Sequence, residues 1–206
     1  MSEPTWRPVA ARAASLLLRY PDAQTLSAVP TIRAALDELP ASVAEPLRAV
    51  TAHRQAANPF ALAAEYVELF DFRRRCCLHL TYYTAGDTRR RGEALVGFAA
   101  AYKETGLEVV GGELPDYLPA VLDLAAADRA GWQLLHDNRV GLHLLEKALA
   151  AENSIYRGVV VAILTMLPSA QPADLAAAAR LARSGPPAEQ VGLEPFGLVD
   201  TTGGRR

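Results

Sequence analysis

Apolar residues recur every three or four positions along almost the whole chain, a period that predicts helices. Val9, Ala13, Leu16, Leu17 and Tyr20 share one face of a first helix, which Pro21 should end. A second stripe, Leu26, Val29, Ile32, Leu36 and Leu39, stops near Pro40, and Pro30 inside it implies a break or a late start. A third stripe, Val43, Leu47 and Val50, runs toward Asn58. There Asn58 can cap orphan amides and Pro59 suits the first position of a fourth helix carrying Leu62, Tyr66, Leu69 and Arg73.

Asp87 or Thr88 can cap the next helix, which runs through Leu95, Phe98, Ala99 and Tyr102 to a closing Gly106. "LEVVGGELPDYLP" reads as a loop, and Pro119 keeps the helix after it from starting much before Asp116. Further helices are predicted from Ala130 to Ala151, with Trp132, Leu135, Leu142, Leu145 and Leu149 on one face, from Ser154 to Leu167, and from Ala173 to Ala182. No strand alternation or internal repeat stands out. The expected architecture is all-α, a single-domain globular helical bundle over residues 1–184. Residues 185–206 mix Pro, Gly and polar residues without a period and read as a mobile tail.

Composition narrows the function classes. Lys plus Arg is 21 against 23 for Asp plus Glu, so no overall basic field favours nucleic acid. The N-terminus lacks the pattern of a secretory signal, and the longest apolar run, Val159 to Leu167, is about half of the ~20 residues needed to span a bilayer. A soluble cytoplasmic protein without membrane insertion is the expectation. The two cysteines, Cys76 and Cys77, are neighbours and should remain reduced thiols.

Candidate chemistry gathers in "RRRCCLHLTYYTAGDTRRRG", residues 73–92. Cys76, Cys77 and His79 are zinc-compatible types, but adjacent cysteines lack the usual ligand spacing, and burial as small apolar residues explains them better. No histidine with an orienting partner can be assigned to a thiol nucleophile. His136 and His143 flank Arg139 at helical spacing, as a solvated polar face would. Arg73 to Arg75 follow a helix end whose dipole favours cations, whereas Arg89, Arg90 and Arg91 open a helix where it does not. The second triplet is therefore the better partner candidate. Tyr82 and Tyr83 lie in a segment expected to cross the helices in extended form, and their residue type suits both cores and recognition pockets.

The run "EYVELFDFRRRCCLHLTYYTAGDTRRRG" with "FAAAYKETGLEVVGGELPDYLPAVLDLAA" closely resembles the nitrate reductase molybdenum cofactor assembly chaperones of the NarJ type, within the wider TorD and DmsD group of redox-enzyme maturation chaperones. The similarity is strong from Glu65 to Ala127, looser over the flanking helices and absent from the tail. It implies an all-helical cytoplasmic chaperone without enzymatic activity. Its partner would be the catalytic (alpha) subunit of respiratory nitrate reductase, chiefly that subunit's N-terminal peptide, with cofactor-biosynthesis proteins as further candidates. It would hold no cofactor stably, but would act in insertion of the molybdenum cofactor into its client before membrane docking. Carried over by position, the recognition elements are Tyr66, Leu69 and Phe70, then His79, Tyr82 and Tyr83, then Glu113, Pro115, Asp116 and Tyr117 of an E-x-P-D-[HY] motif. Tyr117 stands where many members of the wider group have histidine.

An amphipathic client helix could lay its apolar side in such a groove. Glu65, Glu68 and Asp116 would set its orientation and the tyrosines its affinity. Asp116 has a competing structural role as a helix cap. The apolar island Val191, Leu193, Phe196, Leu198 and Val199 suggests a tail that occupies the groove when no client is present. The alternative function is a helical adaptor joining folded partners, with Arg89 to Arg91 meeting an acidic surface.

Overall fold

In the computed structural model, which describes residues 4–86 and 88–184, the described residues form twelve α-helices and no strand. The expected cap at Asp87 and the expected tail with its apolar island lie outside the described residues. The first helix, α1 (Trp6–Leu18), buries Ala10, Ala11, Ala13, Ala14, Leu17 and Leu18. This face shares Ala13 and Leu17 with the expected stripe but is rotated from it, for Val9 and Tyr20 are exposed and Leu16 is half-buried. The reason is size. Four alanines let α1 lie close on α8 (Leu118–Ala127), and the Ser15 hydroxyl reaches across to donate to the Pro119 carbonyl at 2.8 Å.

Pro30 breaks the second stripe as expected, giving α2 (Ala23–Ser27) and α3 (Val29–Ala35), with a 3-10 turn from Leu36 to Glu38 before Pro40. Val43, Leu47 and Val50 of α4 (Ala41–Ala56) are buried against α11 (Arg157–Met166). Asn58 accepts from the Phe60 amide at 2.9 Å and starts α5 (Pro59–Tyr66), which runs on into a π-helical turn from Val67 to Asp71. A 3-10 turn, Arg74–Cys76, leads to an extended stretch and then to α6 (Tyr82–Ala85), so the tyrosine pair sits in a helical turn rather than in the extended connection. Gly106, left-handed at φ 72°, closes α7 (Arg89–Thr105).

The helix expected from Ala130 to Ala151 is two helices, α9 (Arg129–Asp137) and α10 (Arg139–Ala151). They part at Asn138, whose side-chain amide donates to the Leu134 carbonyl at 2.9 Å, a local bond that competes with the helical ladder. The apolar stripe is continuous through the break, which hid it. One consequence is that Arg139 is buried at 4 % exposure instead of lying on a solvated face with exposed His136, and its Nε and Nη1 have no hydrogen-bond partner. The last helix, α12 (Pro172–Ser184), packs on α10 and buries only Ala178.

Close approach of backbones fixes the α8–α9 corner. A Cβ on Gly131 of α9 would fall on the backbone of Leu124 and Ala125, so only glycine fits. By contrast, Gly97 in α7 has no neighbour within 4 Å of such an atom. Gly131→Ala should therefore cost about 3 kcal/mol in urea unfolding, through forced separation of the two helices. Gly97→Ala should raise stability by about 0.5 to 1 kcal/mol through helix propensity. Equal effects at the two sites would refute the packing account.

Candidate functional site

The centre of the site is a crossing of two chain segments. Cys76, Leu78 and Leu80 are buried while Cys77 and His79 are half-buried, the alternation expected of extended backbone. This stretch meets the end of the loop before α8 in an antiparallel bridge between His79 and Tyr117. The Leu80 amide donates to the Asp116 carbonyl at 3.0 Å, and the Leu118 amide donates to the Leu78 carbonyl at 2.8 Å.

Asp116 is completely buried. A buried carboxylate is costly unless its oxygens are hydrogen-bonded. Here one oxygen accepts from the Thr81 amide at 3.2 Å and the Thr81 hydroxyl at 2.5 Å, and the other accepts from His79 Nδ1 at 3.0 Å. An ionised carboxylate only accepts, so the imidazole carries its proton on Nδ1. Burial works to raise the Asp116 pKa, but the hydrogen bonds from His79 and Thr81 outweigh it and hold the carboxyl below its ordinary range. The cap reading of Asp116 is thereby replaced. The N-cap of α8 is Tyr117, with no side-chain cap, and Asp116 ties down the other segment.

Behind the crossing lies an aromatic cluster. The π-helical turn directs both Leu69 and Phe70 inward, although they are adjacent in sequence. Tyr66 and Phe70 have ring centroids 4.6 Å apart, Phe70 meets Tyr156 edge-on at 5.2 Å, and Tyr20 meets Tyr66 edge-on at 5.5 Å. The Tyr66 hydroxyl donates to the Leu18 carbonyl at 2.9 Å and lies 3.3 Å from the Tyr117 hydroxyl. Burial, with Tyr117 beside it, raises the Tyr66 pKa far above its ordinary value.

The candidate residues thus divide by position. Tyr66, Leu69, Phe70, Tyr83 and Asp116 are buried at 8 % exposure or less and form the support. The Tyr83 hydroxyl, for instance, donates to the carbonyls of Arg75 and Cys77 and fixes the 3-10 turn. His79, Tyr82, Pro115 and Tyr117 are half-buried, and Glu113 is exposed. Glu65 is hydrogen-bonded to His53 at 2.7 Å, and Glu68 pairs with Arg73, which also reaches Glu152 at 2.7 Å. Arg89, Arg90 and Arg91 form the first turn of α7, about 24 Å along the helix from its other end. They line neither of the clefts beside the crossing.

Those clefts flank the crossing. One, of about 200 Å³, lies between α6, α10 and α12 and takes in Arg75, Tyr82, Leu144, Lys147 and Glu152. The other, of about 250 Å³, lies between α7, the loop and α8, with Tyr102, Leu107, Val110, Glu113, Tyr117 and Asp123 in its walls. Sequence reasoning missed Tyr102, Leu107 and Val110 as site residues. The signal was there in "LEVV", apolar residues in a loop where solvated side chains are the norm. Burial pushes the Cys76 thiol up to about 11, away from a reactive thiolate, and no group of three metal-ligating side chains occurs among the described residues.

This all-helical arrangement has a counterpart among solved structures. A crystal structure from Archaeoglobus fulgidus, described as a redox enzyme maturation protein, superposes with a TM-score of 0.57 at 23 % identity, covering 76 % of this chain and 90 % of that one. The model of the nitrate reductase delta subunit family matches residues 35–161, and the chain belongs to that family. It is 30 % identical over 166 residues to the Bacillus subtilis protein named as the nitrate reductase molybdenum cofactor assembly chaperone NarJ, covering 79 % of this chain and 90 % of that one. It is 38 % identical over 160 residues, 77 % of this chain, to the nitrate reductase-like protein NarX of Mycobacterium tuberculosis, and the match spans only 24 % of that longer protein. The Escherichia coli protein NarJ, also named as such a chaperone, is 36 % identical over 115 residues, covering 54 % of this chain and 49 % of that one. No helix among the described residues is long and apolar enough to cross a membrane.

The depressed pKa of Asp116 fixes the sign of its pH effect. Its stabilisation is complete above the unfolded carboxylate value near ~3.9 and is lost as pH falls through the lower folded value. Asp116→Ala should cost about 3 kcal/mol at neutral pH, since Thr81 and His79 lose their acceptor. Asp116→Asn should cost less and should flatten the decline in urea midpoint below about pH 4. Parallel acid limbs in wild type and Asp116→Asn would exclude the carboxylate as their source.

Proposed function

We propose that this chain is a system-specific chaperone for respiratory nitrate reductase. It binds the N-terminal peptide of the cofactor-free catalytic subunit and keeps that subunit competent for molybdenum cofactor insertion before membrane docking. Membership of the nitrate reductase delta subunit family supports this, as do the names of the Bacillus subtilis and Escherichia coli relatives. The molybdenum cofactor enters as cargo of the client. The setting of the reaction in this reading is the cytoplasm.

The observation that carries the reading is the division between buried support and exposed face at the crossing. Asp116, Tyr66 and Phe70 make a rigid base, above which Glu113, exposed Leu114, Tyr117 and His79 stand toward solvent. Aromatic and apolar contacts beside an unpaired carboxylate suit an amphipathic helix with a basic edge. Holding such a helix needs no bond to be made or broken. The chaperone works by occupying the peptide, and a surface already fixed in shape loses little entropy when it binds.

Phe70 and Tyr83 are buried, and their truncation would cost about 3 to 5 kcal/mol of stability. Exposed positions separate binding from folding. In calorimetric titration with a synthetic peptide of the client's N-terminal segment, Glu113→Lys combined with Leu114→Asp should weaken binding at least about tenfold, on the order of 1.4 kcal/mol. The melting temperature should stay within about 2 °C of wild type. Undiminished affinity would remove this face from the site, and equal capture of cofactor-free and mature enzyme would argue against a chaperone.

A further inference from the structure

The cleft between α6, α10 and α12 is apolar in its walls and positive at its rim. Half-buried Leu144 and Ala148 of α10, Tyr82 of α6 and Leu181 of α12 line it, and the ring of buried Tyr83 meets Tyr82 edge-on with centroids 5.7 Å apart. The charged groups lining it are Arg75, Lys147 and Glu152. Glu152 is taken by Arg73 at 2.7 Å, whereas exposed Arg75 and Lys147 make no ion pair among the described residues. One side is closed by α12, although that helix buries only Ala178 of its 13 residues.

Volume and charge restrict the occupant. The space of about 200 Å³ is below the ~300 to 1,000 Å³ of small-molecule sites, so it suits one large apolar side chain rather than a cofactor. Unpaired cations at the rim disfavour a basic peptide, such as the one proposed for the crossing, and favour an apolar segment that carries carboxylates. Such a segment follows α12 directly. Residues 189–200, EQVGLEPFGLVD, contain Glu189, Glu194 and Asp200, no Lys or Arg, and the apolar island from Val191 to Val199. Reach is no obstacle, because an extended run from 185 to 191 spans roughly 23 Å, and the cleft is lined by Leu181 and Ala182 at the very end of α12.

We propose that residues 191–200 seat in cis in this cleft, with the Phe196 ring against Tyr82 and Leu144 and the Glu194 carboxylate paired with Lys147 at the rim. Phe196 is the largest apolar side chain of the segment, and Glu194 lies two residues from it. An aromatic pair adds to the burial of apolar area, and the segment then bridges α10 and α12, which so little burial otherwise joins. The seat keeps the apolar walls from foreign apolar segments. It stands independently of the chaperone reading, since no client enters it.

Two measurements on the full chain test it. Carbodiimide cross-linking of an equal mixture of isotope-labelled and unlabelled protein should join Glu194 to Lys147 within one copy, as read by mass spectrometry of the digested protein. Hydrogen exchange across α12 should be at least about fivefold faster in Phe196→Asp than in wild type, with α1 and α8 unchanged. Lys147→Glu should speed it about two- to threefold, and Lys147→Glu combined with Glu194→Lys should restore the wild-type rate. Links found only between labelled and unlabelled copies would make a second copy the occupant and overturn the seat. Absence of the link, unchanged α12 exchange in Phe196→Asp, or equal acceleration in α1 and α8 would each overturn it as well.

Discussion

The carboxylate of Asp116 is the constraint on which the site depends. Taking an ion of this kind out of water costs several kcal/mol, and the cost is offset only where hydrogen bonds are numerous and well placed. Thr81 and His79 provide them from a segment 35 residues away in sequence. Neither segment has a regular element of its own at this point, and a single bridge between His79 and Tyr117 could not hold them by itself. With the carboxylate in place, the start of α8, the turn of α6 and the two clefts beside them acquire fixed relative positions. Losing one acceptor would therefore loosen several surfaces together.

A second set of polar contacts ties this crossing to the core. The end of α1 leaves carbonyls that no helical amide can reach. Buried Arg54 donates to two of them, Leu16 at 3.2 Å and Arg19 at 2.6 Å, and stacks over the Tyr156 ring, while Tyr66 takes the Leu18 carbonyl. The same Tyr66 hydroxyl lies beside Tyr117. A displacement of the crossing is thus felt at the C-terminus of α1, through an aromatic ring and one hydroxyl rather than through a long relay. The alanine face of α1 lets α8 approach closely enough for this geometry to close.

Much of the fold was legible because its causes are local. Asn58, Pro59, Pro30, Gly106 and Pro119 act within a few residues of themselves, and each element boundary they predict is found. What could not be read depends on distant partners. Asp116 next to a helix start has the pattern of a cap, and only the position of Thr81 and His79 makes it a clamp. Leu69 and Phe70 share an inward direction because of a π-helical turn, which leaves no mark in a period-3.6 pattern. The break at Asn138 is hidden by an apolar stripe that continues across it, and with it the burial of Arg139. For the candidate site, the burial of Tyr66, Leu69, Phe70, Tyr83 and Asp116 was not legible, since a tyrosine in a core and one in a pocket look alike in sequence.

That distinction bears on how such a chaperone could release its client. If the buried tyrosines made the contacts, binding would require the core to open, and the cost of opening would be charged against affinity on every cycle. In the chaperone reading proposed above, a base held by Asp116 and Tyr66 avoids this, because the client would meet side chains that are already in place. The exposed groups beside the crossing are few: Leu107, Val110 and Leu114 of the loop, a half-buried Tyr117, and Glu108 and Glu113. Affinity differences among related complexes lie mostly in dissociation rate. In that reading a small, preformed surface favours a hold that is specific yet brief, as handing a loaded subunit onward would require.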